Sequence, residues 1–200
     1  RIRPFIGGEL IKVMTGIRRS GKSVMLELIK EELAEAGVAP SQMISINFED
    51  MRYSHLQTAT ALHDEIIKRA EGIEGKAYLF FDEIQEVEGW EKCVNSLRVA
   101  LDCDIYITGS NAKLLSGELA TYIGGRYVEF VIYPFSFAEF LELYHTIAPS
   151  DSIQQCFQKY LLVGGMPYLA NLRYEEEPSR QYLTDLFNSV QLKDIVKRNK

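Results

Sequence analysis

The sequence predicts an α/β fold: a five-stranded parallel sheet flanked by helices over residues 1–134, followed by a small all-helical domain over residues 135–200. Three observations lead there. Short runs rich in β-formers alternate with stretches whose apolar residues recur at three- and four-residue spacing, and such alternation builds a parallel sheet with helices on both faces. A glycine-rich turn, Gly16-Ile17-Arg18-Arg19-Ser20-Gly21-Lys22-Ser23, joins the first strand to the first helix. After Pro134 the strand pattern stops and only helical periodicity remains, which places the domain boundary there.

Taken in order, Leu10 to Met14 is an apolar run that reads as a buried strand. Val24 to Ala36 beyond the turn is amphipathic and is stopped by Gly37. Further strands are expected at Met43–Phe48, Ala77–Phe81, Asp104–Thr108 and Tyr127–Tyr133. Helical patterns at Leu56–Ala70, Trp90–Leu101 and Leu114–Ile123 lie between them. Phe135–Tyr144 and the region from Ser152 onward read as helix, with Glu175-Glu176-Glu177 before Pro178 as a solvated loop. Ligands of such sheets bind at the carboxyl ends of the strands, and the motifs below fall there.

The composition narrows the function classes. At 46% hydrophobic and 25% charged residues the chain is an ordinary globule, and no apolar run approaches the ~20 residues of a bilayer span. A formal charge of −6 gives no support to non-specific nucleic-acid binding over the whole surface. Cys93, Cys103 and Cys156 lack C-x-x-C or Cys/His ligand spacing, which fits small buried groups in a reducing, cytoplasmic setting without structural zinc. The chain starts at Arg1 and stops inside an expected helix at Lys200, as an excised fragment would. His55, His63 and His145 have no partner spacing of a metal site or nucleophile–base pair.

The chemistry is concentrated in two motifs. Gly16 to Ser23 is a complete G-x-x-x-x-G-K-[ST] loop: glycines let successive N–H groups point into one hollow, and the helix starting near Lys22 adds its positive dipole end. A polyphosphate fits this hollow, with Lys22 on the β- and γ-phosphates, Ser23 on a Mg²⁺, and Gly16 through Val24 lining it. Tyr78-Leu79-Phe80-Phe81-Asp82-Glu83 is an apolar strand ending in two carboxylates. Strand alternation separates their tasks, Asp82 facing the metal through water and Glu83 polarising the attacking water.

With these motifs the chain resembles the AAA+ branch of P-loop ATPases. The resemblance implies a P-loop NTPase sheet domain with a helical lid, Mg²⁺ and ATP as ligands, and a site in the cleft between sheet and lid. ATP rather than GTP follows from this likeness, since no N-K-x-D guanine-reading sequence occurs. Thr108-Gly109-Ser110-Asn111 looks like the position of the polar sensor, a role carried to Asn111 with Ser110 as the alternative. Gly124-Gly125-Arg126 is similar to where such proteins carry an arginine that reaches a neighbouring subunit's nucleotide, which makes Arg126 the basis of an expected homo-oligomer. Leu162-Val163-Gly164-Gly165-Met166-Pro167 resembles a lid element whose proline, Pro167, packs on the adenine; a plain turn between helices reads equally well. Arg173 and Arg180 match a second sensor only by position.

DEIQ, the helix start at Gly89-Trp90-Glu91, SGELATYIGGRY, YPFSFAEF and GGMP most resemble prokaryotic AAA ATPases that carry a C-terminal domain of unknown function. That likeness leaves a DNA or protein partner to a further C-terminal region. Arg18 and Arg19 are left open between holding acidic neighbours and facing a partner subunit, and Glu49 and Asp50 read as turn-starting acids. Phe135, Phe137 and Phe140 form an apolar stripe expected in the core between the modules, and the basic tail from Lys193 reads as a solvated face. The expected activity is ATP hydrolysis driving a conformational switch. A P-loop kinase of a small molecule and a nucleotide-gated adaptor for DNA or protein are its rivals, the acid pair favouring water as acceptor.

Overall fold

Five buried or half-buried runs build the first layer. The computed structural model describes residues 1–109 and 123–196. Strands β1 (Ile11–Thr15), β2 (Met43–Asn47), β3 (Ala77–Asp82), β4 (Cys103–Thr108) and β5 (Tyr127–Val131) form one sheet in the order β2-β3-β4-β1-β5. Every pairing is parallel. All strand ends of one polarity therefore share an edge, and the loops after β1, β3 and β4 leave from neighbouring positions on it.

Strand alternation divides the apolar side chains between the two faces. On one face Ile11, Val13, Ile46, Leu79, Phe81, Ile105 and Ile107 pack with α2 (Ala59–Ala70) and α3 (Trp90–Ala100), through Leu62, Ile66, Val94 and Leu97. On the other, Met14, Phe80 and Tyr106 pack with Leu26, Ile29 and Leu33 of α1 (Lys22–Glu35). Thr58 caps α2 by accepting the Ala61 N–H, so that helix starts later than its apolar pattern. The expected helix at 114–123 lies almost wholly outside the described residues.

Beneath the α1 face is a buried charge network. Lys12 of β1 lies in register with Tyr106 of β4, and both are fully buried with Asp104. The Lys12 ammonium donates to the Asp104 carboxylate and to the Gly8 carbonyl at 3.0 Å. Asp104 also accepts from the Gly7 N–H at 2.6 Å and the Tyr106 hydroxyl at 2.7 Å. Burial pulls the Lys12 pKa below its ordinary value against the opposing pull of Asp104, and pushes the Tyr106 phenol up. These bonds tie the Gly7-Gly8 turn to the amino ends of β1 and β4.

The chain divides into two compact units, Arg1–Ile17 with Lys22–Ile132, and Arg18–Gly21 with Tyr133–Lys200. The second contains α4 (Phe137–His145), α5 (Ile153–Val163) and α6 (Glu176–Val196). Ser136 with Glu139 and Ser152 with Gln155 form capping boxes that start α4 and α5. The stripe of Phe135, Phe137 and Phe140 packs within this unit: Phe140 stacks on Tyr144 and meets Tyr160 and Tyr174 edge-on or tilted. Helix α6 begins at Glu176, so the expected acidic loop is the helix's first turn. Acidic side chains suit that positive end, and Pro178 falls where a helix needs no N–H donor.

Gly165 is required by a close backbone approach. Its carbonyl accepts the Phe135 N–H at 2.8 Å, and a Cβ added to it would lie 2.0 Å from the Phe135 oxygen. Gly165→Ala must push the two backbones apart, an overpacking that costs about 1–3 kcal/mol. The expected result is faster amide hydrogen exchange in α4 and α5 of this unit, with Trp90 fluorescence from the sheet unit unaffected. Unchanged exchange in those helices would contradict the close approach.

The three cysteines are buried and free, and burial raises Cys93 to about 12 and Cys103 to about 11. Among the described residues no cluster of His, Cys, Asp and Glu could hold a metal alone, and no helix is long and apolar enough to cross a membrane. His63 meets the Ser96 hydroxyl at 3.2 Å and His145 lies 3.6 Å from the Cys156 sulfur. Asp50 caps the short helix at Met51–Tyr53 and pairs with Arg52, the turn-starting role expected of it.

Candidate functional site

The loop after β1 leaves at Thr15, and its curl is set by backbone angles that favour glycine. Gly16 has φ 147°, Gly21 has φ 105° with no atom within 4 Å of an added Cβ, and Arg19 takes the left-handed region at φ 63°. Helix α1 follows directly with Lys22 as its first residue. Lys22 is 5% exposed and its ammonium donates to the Gly16 carbonyl at 3.3 Å and the Ile17 carbonyl at 3.2 Å. Ser23 and Val24 are exposed in the first turn of α1, and Pro167 opens a 3₁₀ helix at Pro167–Ala170 in the helical unit.

Whether this loop suits a polyphosphate can be tested on its own atoms. Among the described residues the Ser20 hydroxyl is buried without a hydrogen-bond partner, a costly arrangement unless a ligand oxygen completes it. The open space at Gly21 lets a phosphate approach the backbone, and α1 points its N-terminus at the same place. The residues fit the group.

β3 ends at Asp82, and the next residue departs from expectation. Glu83 is not a further strand position on the opposite face: its φ of 56° and ψ of 47° place it in the left-handed region. Alternation therefore does not set its direction. The turn brings Glu83 Oε1 to 3.8 Å from Lys22 Nζ, while Oε2 accepts from Gln85 Nε2 at 2.5 Å. Asp82 is buried, and its Oδ1 accepts the Thr108 hydroxyl proton. The same hydroxyl oxygen accepts the Glu83 N–H at 3.0 Å.

Lys22, Asp82 and Glu83 are thus brought together at the carboxyl edge of β1 and β3, with β4 between them contributing Thr108. Thr108 and Gln85 join the site without a local motif that assigns them a role. The Thr-Gly-Ser-Asn run points to this strand end, but its expected sensors, Ser110 and Asn111, lie outside the described residues.

Arg126 is not brought to this site. Its carbonyl accepts from Ile11, the first residue of β1, whereas the loop leaves from the last, so about 13 Å of strand separates them. The exposed guanidinium donates to Asn95 Oδ1 at 2.9 Å. In the helical unit Arg180 pairs with Glu176 one turn away, and Arg173 is left-handed at φ 52°.

Comparison with known proteins gives the family. The chain is 42% identical over 191 residues to an uncharacterized protein of Haemophilus influenzae, covering 95% of this chain and 47% of that one. It is 33% identical over 198 residues to the uncharacterized protein MJ1544 of Methanocaldococcus jannaschii, covering 94% and 42%. The chain spans about half the length or less of these curated relatives. Among solved structures it is similar to the Orc1 protein of Aeropyrum pernix in complex with DNA, at 13% identity and a TM-score of 0.49, covering 98% of this chain and 65% of that one. The family described as AAA domain matches residues 9–141, the stretch that carries the loop, the acid pair and all five strands. The chain belongs to the AAA domain family, P-loop proteins of the ATPase type that bind nucleotide.

Proposed function

We propose that this chain binds ATP with Mg²⁺ at Gly16–Ser23 and hydrolyses it. The observation that carries the reading is the convergence of Lys22, Asp82 and Glu83 at one sheet edge, with Lys22 and Glu83 within ion-pair distance. The loop amides and Lys22 hold the β- and γ-phosphates, with the Ser20 hydroxyl as a further donor. Ser23, and Asp82 through water, would hold Mg²⁺, which would supply charge neutralisation for the phosphates. Glu83 orients a water for in-line attack and takes up its proton. The new bond joins the water oxygen to Pγ, the bond from Pγ to the β–γ bridging oxygen breaks, and that electron pair leaves on ADP. Asn111, or Ser110 beside it, completes the set as the sensor of the γ-phosphate.

Arg126 acts on the nucleotide of a second copy. Its placement at the opposite sheet edge supports a role in trans, since the side chain does not span the distance to its own loop. Guanidinium forks across phosphate oxygens as charge grows in the transition state.

Calorimetry with ATP and Mg²⁺, paired with phosphate release at rising protein concentration, tests the proposal. Binding and a turnover rate that climbs with concentration are expected, and Arg126→Ala should lower assembled turnover by roughly a hundredfold or more. Absence of binding ends the reading. Unchanged turnover in Arg126→Ala removes that residue from it.

A further inference from the structure

We propose that Thr108 is the positioning residue that sets both acids of the site, holding Asp82 in its metal-facing rotamer and Glu83 in its left-handed turn through a single hydroxyl. The inference rests on the proposed ATP hydrolysis for its catalytic consequence and on the geometry alone for its structural one. The hydroxyl proton goes to Asp82 Oδ1, and the hydroxyl oxygen accepts the Glu83 N–H at 3.0 Å. Thr108 is fully buried at the end of β4, the strand lying between β3 and β1.

A hydroxyl suits this place because it donates once and accepts at the same time. Donation fixes the direction of its proton, so Asp82 keeps one oxygen committed to the protein and offers the other to a metal-bound water. Acceptance stabilises a backbone conformation that a β-carbon disfavours, and that conformation brings Glu83 Oε1 to 3.8 Å from Lys22. Without the bond the Glu83 peptide loses its partner for the left-handed turn, and its carboxylate loses a fixed direction toward the phosphate side. The neighbouring acids would still be present, but their mutual placement would be lost.

Three variants isolate the hydroxyl. Thr108→Ala and Thr108→Ser both lack the methyl group and differ only in the oxygen, and Thr108→Val keeps the shape without the oxygen. Under saturating ATP, Thr108→Ala and Thr108→Val should lower kcat by roughly tenfold to a hundredfold. Both should raise the Mg²⁺ concentration needed for half-maximal rate, with ATP affinity measured in excess chelator within about threefold of the parent chain. Thr108→Ser should restore both readouts.

Amide hydrogen exchange of the Glu83 peptide gives an arm that does not depend on catalysis. Exchange should quicken by roughly tenfold in Thr108→Ala and Thr108→Val, return in Thr108→Ser, and stay unchanged in β2. If the parent chain binds ATP but releases no phosphate, the proposed hydrolysis fails, and the exchange arm alone then upholds or overturns the positioning role. Parent-like kcat and Mg²⁺ dependence in Thr108→Ala, parent-like exchange at Glu83, or a Thr108→Ser variant as impaired as Thr108→Ala would each overturn it.

Discussion

Asp104→Ala is expected to lower the unfolding free energy of the sheet unit by about 3–5 kcal/mol. The substitution removes the only carboxylate that the structure gives to the Lys12 ammonium among the described residues, and leaves that ammonium buried at the base of β1. The Tyr106 hydroxyl and the Gly7 N–H lose their acceptor in the same step. Single-domain stabilities are about 5–15 kcal/mol, so the loss is a large fraction of the whole. Urea unfolding followed by Trp90 fluorescence measures it cleanly, because Trp90 is the sole tryptophan and lies in the core of this unit. With a slope of about 2 kcal/mol per molar urea, the midpoint should fall by roughly 2 M.

Removing the whole network separates the charge from the geometry. Lys12→Met with Asp104→Leu and Tyr106→Phe takes out both charges and the phenol, and apolar groups of similar volume in place of a buried ion pair are commonly neutral or stabilising. The triple variant should therefore recover most of the stability that Asp104→Ala loses. A midpoint shift below about 0.5 M in Asp104→Ala would mean the ammonium finds another partner or is lost from the interior.

The same network marks where the sequence was mute. β1 and β4 were legible as apolar runs, and β3 as an apolar run ending in acids, because burial on both faces of a parallel sheet leaves a continuous hydrophobic signal. A lysine inside such a run carries no mark of its counter-ion, which here stands 92 positions away. Thr108 was hidden for the same reason, since its bond to Asp82 joins residues 26 apart. The phosphate loop was readable because its chemistry is local: glycines, lysine and serine at fixed offsets along one turn. The direction of Glu83 is not legible, because alternation holds only while a strand continues, and β3 stops at Asp82. The start of α6 was missed because an acidic run before proline also reads as a turn, and only the packing of Ser179 and Tyr182 tells the two apart.

Glu83→Gln should leave ATP bound and reduce hydrolysis by about 10²–10³-fold. Glutamine keeps the length and the backbone preference of the native residue, so the left-handed turn and its bond to Thr108 persist. What is lost is the negative charge that orients a water proton and the basicity that accepts it. Affinity should be equal or tighter, because a carboxylate beside Lys22 competes with the γ-phosphate for that ammonium. Lys22→Ala has the opposite signature: it removes the cation on the phosphates and weakens binding as well as turnover. Glu83→Gly controls for backbone effects. Glycine adopts the left-handed turn without a Cβ penalty, so its stability should stay within about 1 kcal/mol of the parent chain while hydrolysis still falls. Single-turnover phosphate release beside equilibrium ATP titration distinguishes these outcomes. Rapid release by Glu83→Gln would take the water-orienting task away from Glu83 and leave the charge of Lys22 and the Asp82–Thr108 pair as the catalytic remainder.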